Sequence, residues 1–198
     1  MTDVLATTED GIAKGAALLQ AGELVAFPTD TVYGVGVAAS RPDRLASIFD
    51  LKNRPLDKRI PILVSDLSQV DRYEVDDRAR ALAARFWPGA LTLILRGADE
   101  SQAFRAPDHP VALALIRAAG PLLVTSANRS NEPDTLGADE VLIAFARQQD
   151  ALAAVLDGGS VPGGVASTVV DLSVTPARVL REGPITPDEL AEVVELAP

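Results

Sequence analysis

The sequence contains no cysteine and a single histidine, His109. The first absence excludes a disulfide framework, a thiol nucleophile and any cysteine-based metal site. The second disfavours a Ser/His/Asp triad and a multi-histidine metal centre. Cations are scarce as well: 18 Lys and Arg stand against 28 Asp and Glu, a formal net charge of −10. Coating nucleic acid runs on an excess of Lys and Arg, so that is not the expected main task. No apolar run approaches the roughly 20 residues a membrane span needs. Met1-Thr2-Asp3-Val4 lacks a basic flank leading into a long apolar core. Neither a signal peptide nor membrane association is therefore expected, and the expected compartment is cytoplasmic. What remains for chemistry is hydroxyls, guanidinium and ammonium groups, and a metal carried by a substrate.

What is present is an apolar fraction of 47% over 198 residues. That suits one globular domain over 1–198 with a sizeable core. Helical spacing over 9–21 with Gly22 as its stop predicts the first helix. A strand follows at 24–27, running into a hydroxyl-rich, glycine-punctuated loop, Pro28 to Gly36. Ser40 reads as an N-cap with Pro42 inside the next helix, which ends near Lys52 before Pro55. Further strands are expected at 60–64, 91–95, 102–105, 122–124, 155–156, 167–172 and 179–181. Helices are expected at 76–86, 111–119, 138–148 and 189–196. Strands and helices alternate without a long βαβ run, which predicts an α/β fold with a mixed sheet and not a plain Rossmann order.

Four polar loops fall at the ends of apolar strands or helices, where α/β folds place ligands. They are Thr29–Gly34, Lys52–Arg59, Thr125–Asn128 and Gly163–Thr168. Lys52, Arg54 and Lys58 suit a polyphosphate, though composition alone favours a solvated basic turn at a helix C-terminus. Ser126 and Asn128 suit a ligand, or equally an Asx-type loop cap. No Walker A or Gly-x-Gly-x-x-Gly pattern occurs. The Gly-rich stretch 158–164 reads as a flexible loop or lid, and Trp87-Pro88-Gly89 as a structural helix stop.

Taken in order, these segments resemble one family, the YrdC-type threonylcarbamoyl-AMP synthases. The resemblance is carried by Pro28-Thr29-Asp30-Thr31-Val32-Tyr33-Gly34, Lys52-Asn53-Arg54-Pro55, Phe86-Trp87-Pro88-Gly89 and Arg105-Ala106-Pro107. It continues through Ser126-Ala127-Asn128, Leu156-Asp157-Gly158-Gly159, Ser167-Thr168 and Arg181-Glu182-Gly183-Pro184. It implies a twisted mixed β-sheet with flanking helices and a concave ligand face. The short, single-domain form is implied because the chain ends soon after Arg181. The implied activity joins L-threonine, bicarbonate or CO2, and ATP into L-threonylcarbamoyl-adenylate, releasing pyrophosphate. Mg2+ enters with ATP. A downstream tRNA threonylcarbamoyl-transfer complex then uses the adenylate to modify an adenosine in tRNAs that read ANN codons.

By position in the family's motifs, Thr31, Tyr33, Arg105, Ser126 and Ser167 are implied to hold L-threonine. Lys52, Arg54, Lys58, Ser101, Asn128, Thr135 and Arg181 are implied to hold ATP. No protein nucleophile is implied; Lys52 and Arg54 serve by positioning. The loop after Asn128, Arg129 to Thr135, departs from the family's commoner Ser-Gly pair. Three other readings compete. One is a tRNA- or double-stranded-RNA-binding module of the same fold without adenylate synthesis. Another is a paralogue with an altered activity. The third is a carbamoyl-transfer domain of the hydrogenase-maturation type, which usually sits in a much longer chain.

Overall fold

A computed structural model describes residues 1–52, 60–70, 72–148, 150–163 and 165–197. In chain order the elements are β1 (Asp3–Ala6), α1 (Glu9–Ala21), β2 (Leu24–Pro28), β3 (Tyr33–Ala38), α2 (Leu45–Lys52) and β4 (Ile62–Leu63). Then come α3 (Asp77–Phe86), β5 (Leu91–Arg96), β6 (Ser101–Arg105), α4 (Pro110–Ala119) and β7 (Leu122–Ser126). The last are α5 (Ala138–Ala144), β8 (Leu152–Asp157), β9 (Thr168–Asp171), β10 (Arg178–Arg181) and α6 (Pro187–Ala191). Among the described residues the ten strands form one mixed sheet in the order β1-β8-β2-β3-β7-β4-β6-β5-β9-β10.

Local sequence explains the helix ends. Thr8 caps α1 by accepting from the Gly11 amide, and Glu9 and Asp10 sit in the first turn, where the helix dipole favours acids. Gly22 closes α1 in the left-handed region at φ 89°, where only glycine is at ease. Asp76 caps α3. Thr186 and Glu189 form a reciprocal capping box at α6.

Strand alternation divides the apolar residues between the two faces of the sheet. On β2, Val25 and Phe27 face a cluster under α1 and α4, while Leu24 and Ala26 face a second cluster under α2 and α5. On β3, Tyr33, Val35 and Val37 join the second cluster, so Gly34 and Gly36 lie on the α1/α4 face. At the other end of the sheet, Leu91, Leu93, Leu95, Phe104 and Val170 pack with Ala79, Leu82 and Leu190 of α3 and α6. Pairing register carries these faces across the sheet. Gly34 lies opposite Ser126, and Leu63 is paired with both Leu122 and Arg105. One face is thus covered along its length by α2, α5, α3 and α6. The opposite face is covered by α1 and α4 over one half only. The remainder of that face, beyond Ala38, Leu63 and Val124, which still pack under α1 and α4, carries the cavity described below.

The expected boundaries hold closely for α1, α3, β5, β6 and α4. The stretch Pro28–Gly36 does not form one loop: Thr29–Val32 makes the turn and β3 starts at Tyr33, paired antiparallel with β2 and β7. Arg41, not Ser40, precedes the Pro42–Arg44 turn of 3-10 helix before α2. The expected strand 60–64 keeps only Ile62–Leu63. The expected helix 138–148 stops at Ala144. The closing helix spans Pro187–Ala191 and not 189–196, because residues 195–197 hydrogen-bond to Ala177 instead. β1 went unexpected: it is four residues long with three exposed, and its ladder to β8 is supplied by tertiary structure.

Candidate active site

Seven strands and one turn contribute to a cavity of about 450 Å³ on the open half of the sheet. Its wall carries Thr29 and Thr31 from the β2–β3 turn, Gly34 of β3, Ser126 of β7, Thr92 of β5, Arg105 of β6, Ser167 before β9 and Arg181 of β10. Alternation places several of them. Leu91, Leu93 and Leu95 enter the core, which turns Thr92 outward; Phe104 enters it, which turns Ala103 and Arg105 toward the cavity. The glycines of β3 keep the floor low. A methyl on Gly34 would stand 2.7 Å from Val124 Cγ1, and one on Gly36 would stand 2.3 Å from the Leu123 carbonyl.

Arg105 is only 8% exposed. Its Nε donates to the Gly89 carbonyl at 3.0 Å, Nη1 to Thr31 Oγ1 at 3.2 Å, and Nη2 to Asp30 Oδ1 at 2.7 Å. Gly89 belongs to the Trp87-Pro88-Gly89 stop, where the indole N–H donates to the Leu91 carbonyl, so this structural motif also braces the guanidinium. Burial holds Arg105 below the ordinary guanidinium value; Asp30 opposes that shift and Arg181 adds to it.

Proton bookkeeping defines what the hydroxyls can offer. Thr29 donates its hydroxyl proton to the Val32 carbonyl at 2.7 Å, accepts from the Thr31 and Val32 amides, and lies 3.1 Å from Thr31 Oγ1. Thr31 Oγ1 accepts from Arg105 and retains acceptor capacity for a ligand. Ser167 Oγ accepts from Arg181 Nη2 at 3.2 Å and shares a 2.8 Å hydrogen bond with Thr92 Oγ1. Whichever of the two donates, one hydroxyl proton remains for a ligand. The site thus presents an acceptor at Thr31 and donors at Ser167/Thr92, Arg105 and Arg181.

Behind Ser126 lies a buried knot. Lys52 is 2% exposed. Its ammonium donates to the Ser126 carbonyl, to the Asn128 carbonyl at 2.5 Å and to Asn128 Oδ1 at 3.0 Å. Ser126 Oγ donates to the same Asn128 Oδ1 at 2.7 Å, and Asn128 Nδ2 donates to the Glu132 carbonyl at 2.6 Å.

The structure brings Thr31, Arg105, Ser126, Ser167 and Arg181 into one cavity wall. Arg181 and Ser167, assigned to opposite ends of the site, are hydrogen-bonded to each other. Lys52 and Asn128 stand one layer back. Ser101 lies on the same side of β6 as Ala103 and Arg105, two residues beyond the wall. Thr135 is outside the wall, its hydroxyl donating to the Ala127 carbonyl at 3.1 Å. Arg54 and Lys58 lie outside the described residues. Asp30, Thr92 and Asp134 belong to the site or its support and were not singled out; Thr92 was signalled as the one polar residue within Leu91–Leu95.

Tyr33 is not in the cavity wall. Its ring is wholly buried in the second core cluster, burial pushes its phenol up, and the hydroxyl donates to the Gly159 carbonyl at 2.8 Å. It also accepts from the Gly158 amide at 3.2 Å. With the Val161 amide bonded to the Leu136 carbonyl, this pins the stretch read as a flexible loop or lid. Tyr33→Phe is expected to cost about 1–2 kcal/mol in stability and speed amide exchange at Gly158 and Gly159. A raised threonine KM with unchanged exchange would instead return Tyr33 to ligand contact.

A family model named for Sua5, YciO and YrdC and described as "Telomere recombination" matches residues 17–183. The chain belongs to the Sua5/YciO/YrdC family. It is similar to the threonylcarbamoyl-AMP synthase of Bacillus subtilis, at 40% identity over 98% of this chain and 59% of that protein. It is also similar to a putative threonylcarbamoyl-AMP synthase of Mycobacterium tuberculosis, at 37% identity over 93% of this chain and 89% of that one. Among solved structures, Pyrococcus abyssi Sua5 complexed with L-threonine superposes with a TM-score of 0.89 at 33% identity. That match covers 100% of this chain and 63% of the archaeal one. The chain thus spans less than two thirds of the Bacillus and Pyrococcus family members, and most of the mycobacterial one.

Proposed function

We propose that this Sua5/YciO/YrdC chain synthesises L-threonylcarbamoyl-adenylate from L-threonine, bicarbonate or CO2, and ATP, releasing pyrophosphate. The observation that carries the reading is the cavity's donor and acceptor pattern. An acceptor hydroxyl at Thr31 stands 3.2 Å from the Arg105 guanidinium. That pairing suits an amino acid whose amine faces Thr31 and whose carboxylate takes the donors Arg105 has left. Relatives named threonylcarbamoyl-AMP synthase and a relative complexed with L-threonine support the choice of amino acid.

In this reading the threonine amine adds to CO2 and gives a carbamate. A carbamate oxygen attacks the α-phosphate of ATP, forming the new O–P bond as the bond to pyrophosphate breaks. No side chain needs to become covalently attached. Arg105, Thr31 and Ser167 hold the amino acid, and Arg181 neutralises charge on the nucleotide side. Lys52 acts by holding Ser126 and Asn128 in place. Arg54, Lys58, Ser101 and Thr135 remain assigned to ATP by their places in the motifs. Mg2+ enters with the phosphates, which suits a site with no cluster of three or more His, Asp or Glu among the described residues. A tRNA threonylcarbamoyl-transfer complex would consume the product.

The test is pyrophosphate release from ATP, measured with and without L-threonine and bicarbonate. Release is expected only with both present. Threonine-independent release, or none, would sink the proposal. Salt-sensitive tRNA binding without ATP consumption would favour an RNA-binding module instead.

A further inference from the structure

Among the described residues, two guanidinium groups face this one cavity, and of these only Arg105 has a carboxylate partner. Arg105 is paired with Asp30 at 2.7 Å, with side-chain exposures of 10% and 15%. Arg181 holds the Ser167 carbonyl and hydroxyl, and among the described residues it has no ion pair. Asp134, the carboxylate in the wall, is exposed and pairs with neither guanidinium. Three of the five N–H groups of Arg105 are committed, to Gly89, Thr31 and Asp30, which leaves two for a ligand.

We infer that Asp30 is a positioning and selectivity residue: it aims Arg105 and neutralises one of the two described guanidiniums of the cavity, so that the cavity takes a zwitterionic amino acid and rejects free oxyanions such as inorganic phosphate. The inference rests on the proposed function for the identity of the amino acid. The physical case is one of charge balance. A buried and an exposed guanidinium lining one cavity without a counter-charge form an oxyanion site. One of them neutralised by a fixed carboxylate favours a ligand carrying both signs, because a second anion is repelled. The zwitterion supplies its own cation, for which Thr31 Oγ1 is an acceptor beside the Arg105 guanidinium. Selection of this kind matters to an enzyme that releases an oxyanion product beside the cavity.

Asp30→Asn keeps the shape and an acceptor oxygen but removes the charge. Inorganic phosphate affinity, measured by titration calorimetry on native and variant protein, needs no turnover and so stands apart from the proposed reaction. The variant is expected to bind phosphate at least tenfold more tightly. In threonine-dependent pyrophosphate release, the threonine KM should rise about tenfold with kcat changed much less, and phosphate should become a competitive inhibitor. A folded Asp30→Asn protein with native phosphate affinity would overturn the inference. Asp30→Glu covers the case where Asn impairs folding. With the charge kept and the geometry moved, it should bind phosphate as weakly as the native protein while threonine KM rises. Tenfold tighter phosphate binding by the Glu variant would equally overturn the inference. Native protein that fails to release pyrophosphate would remove the proposed reaction but leave the calorimetric comparison intact.

Discussion

Lys52→Met is expected to lose about 2–3 kcal/mol of folding stability and nearly all pyrophosphate release. Methionine preserves the length and volume of the buried stem. It removes three ammonium donors that hold the Ser126 carbonyl, the Asn128 carbonyl and Asn128 Oδ1. Hydrogen bonds to a charged group contribute about 1.5–3 kcal/mol each, and acceptors left buried without a partner cost about 1–3 kcal/mol. Part of this is offset because an ammonium no longer has to be desolvated at a site 2% exposed. For a chain of this length that predicts a melting temperature lower by about 4–12 °C, at roughly 2–4 °C per kcal/mol. The functional loss follows from geometry: Ser126 lines the cavity, and its main chain is fixed from behind by this ammonium. Thermal unfolding and pyrophosphate release on the same preparation check both parts. A stable variant lacking activity would make Lys52 a direct phosphate contact instead, and a stable, active one would remove it from the site.

Arg105→Lys is the second. It keeps a positive charge and tests whether the planar fork is what matters. A lysine ammonium cannot meet Gly89, Thr31 and Asp30 at their separate positions and still present two donors to a ligand. Losing the fork is expected to lower kcat/KM for threonine about 100-fold, equivalent to about 2.7 kcal/mol, with most of the change in KM. Steady-state kinetics with threonine varied at saturating ATP measures it. A change confined to the ATP KM would move Arg105 to the nucleotide side.

Much of this was legible in the chain, for identifiable reasons. Helix α1 announces itself because its period, its Thr8 and acidic start and its Gly22 stop all agree. The ligand-bearing turn is visible because Thr29, Asp30 and Thr31 interrupt a fully apolar strand. Arg105 and Ser126 were found through motif order. Their hydrogen-bond partners were not, because Arg105 meets Thr31 across 74 residues of sequence and Lys52 meets Ser126 across another 74. Tyr33 falls outside the cavity wall for a related reason. Alternation on β3 sends it into the core opposite Gly34, and that parity could not be read while the stretch was taken for a loop. The glycine-rich segment suggested a lid by composition, whereas Tyr33 and Leu136 anchor it through backbone groups that composition does not reveal. Asp30 was overlooked because a carboxylate beside threonines reads as turn chemistry until Arg105 is placed against it.

The central claim is that the amine of threonine, one carbon from bicarbonate and the adenylyl group of ATP are joined in one cavity. Mass spectrometry of the products formed from ATP, L-threonine and 13C-bicarbonate tests it directly. The expected result is an adenylate carrying threonine and one 13C atom, formed with equimolar pyrophosphate and absent when threonine is omitted. Threonyl-adenylate without the label, or pyrophosphate without any threonine-containing adenylate, would contradict it.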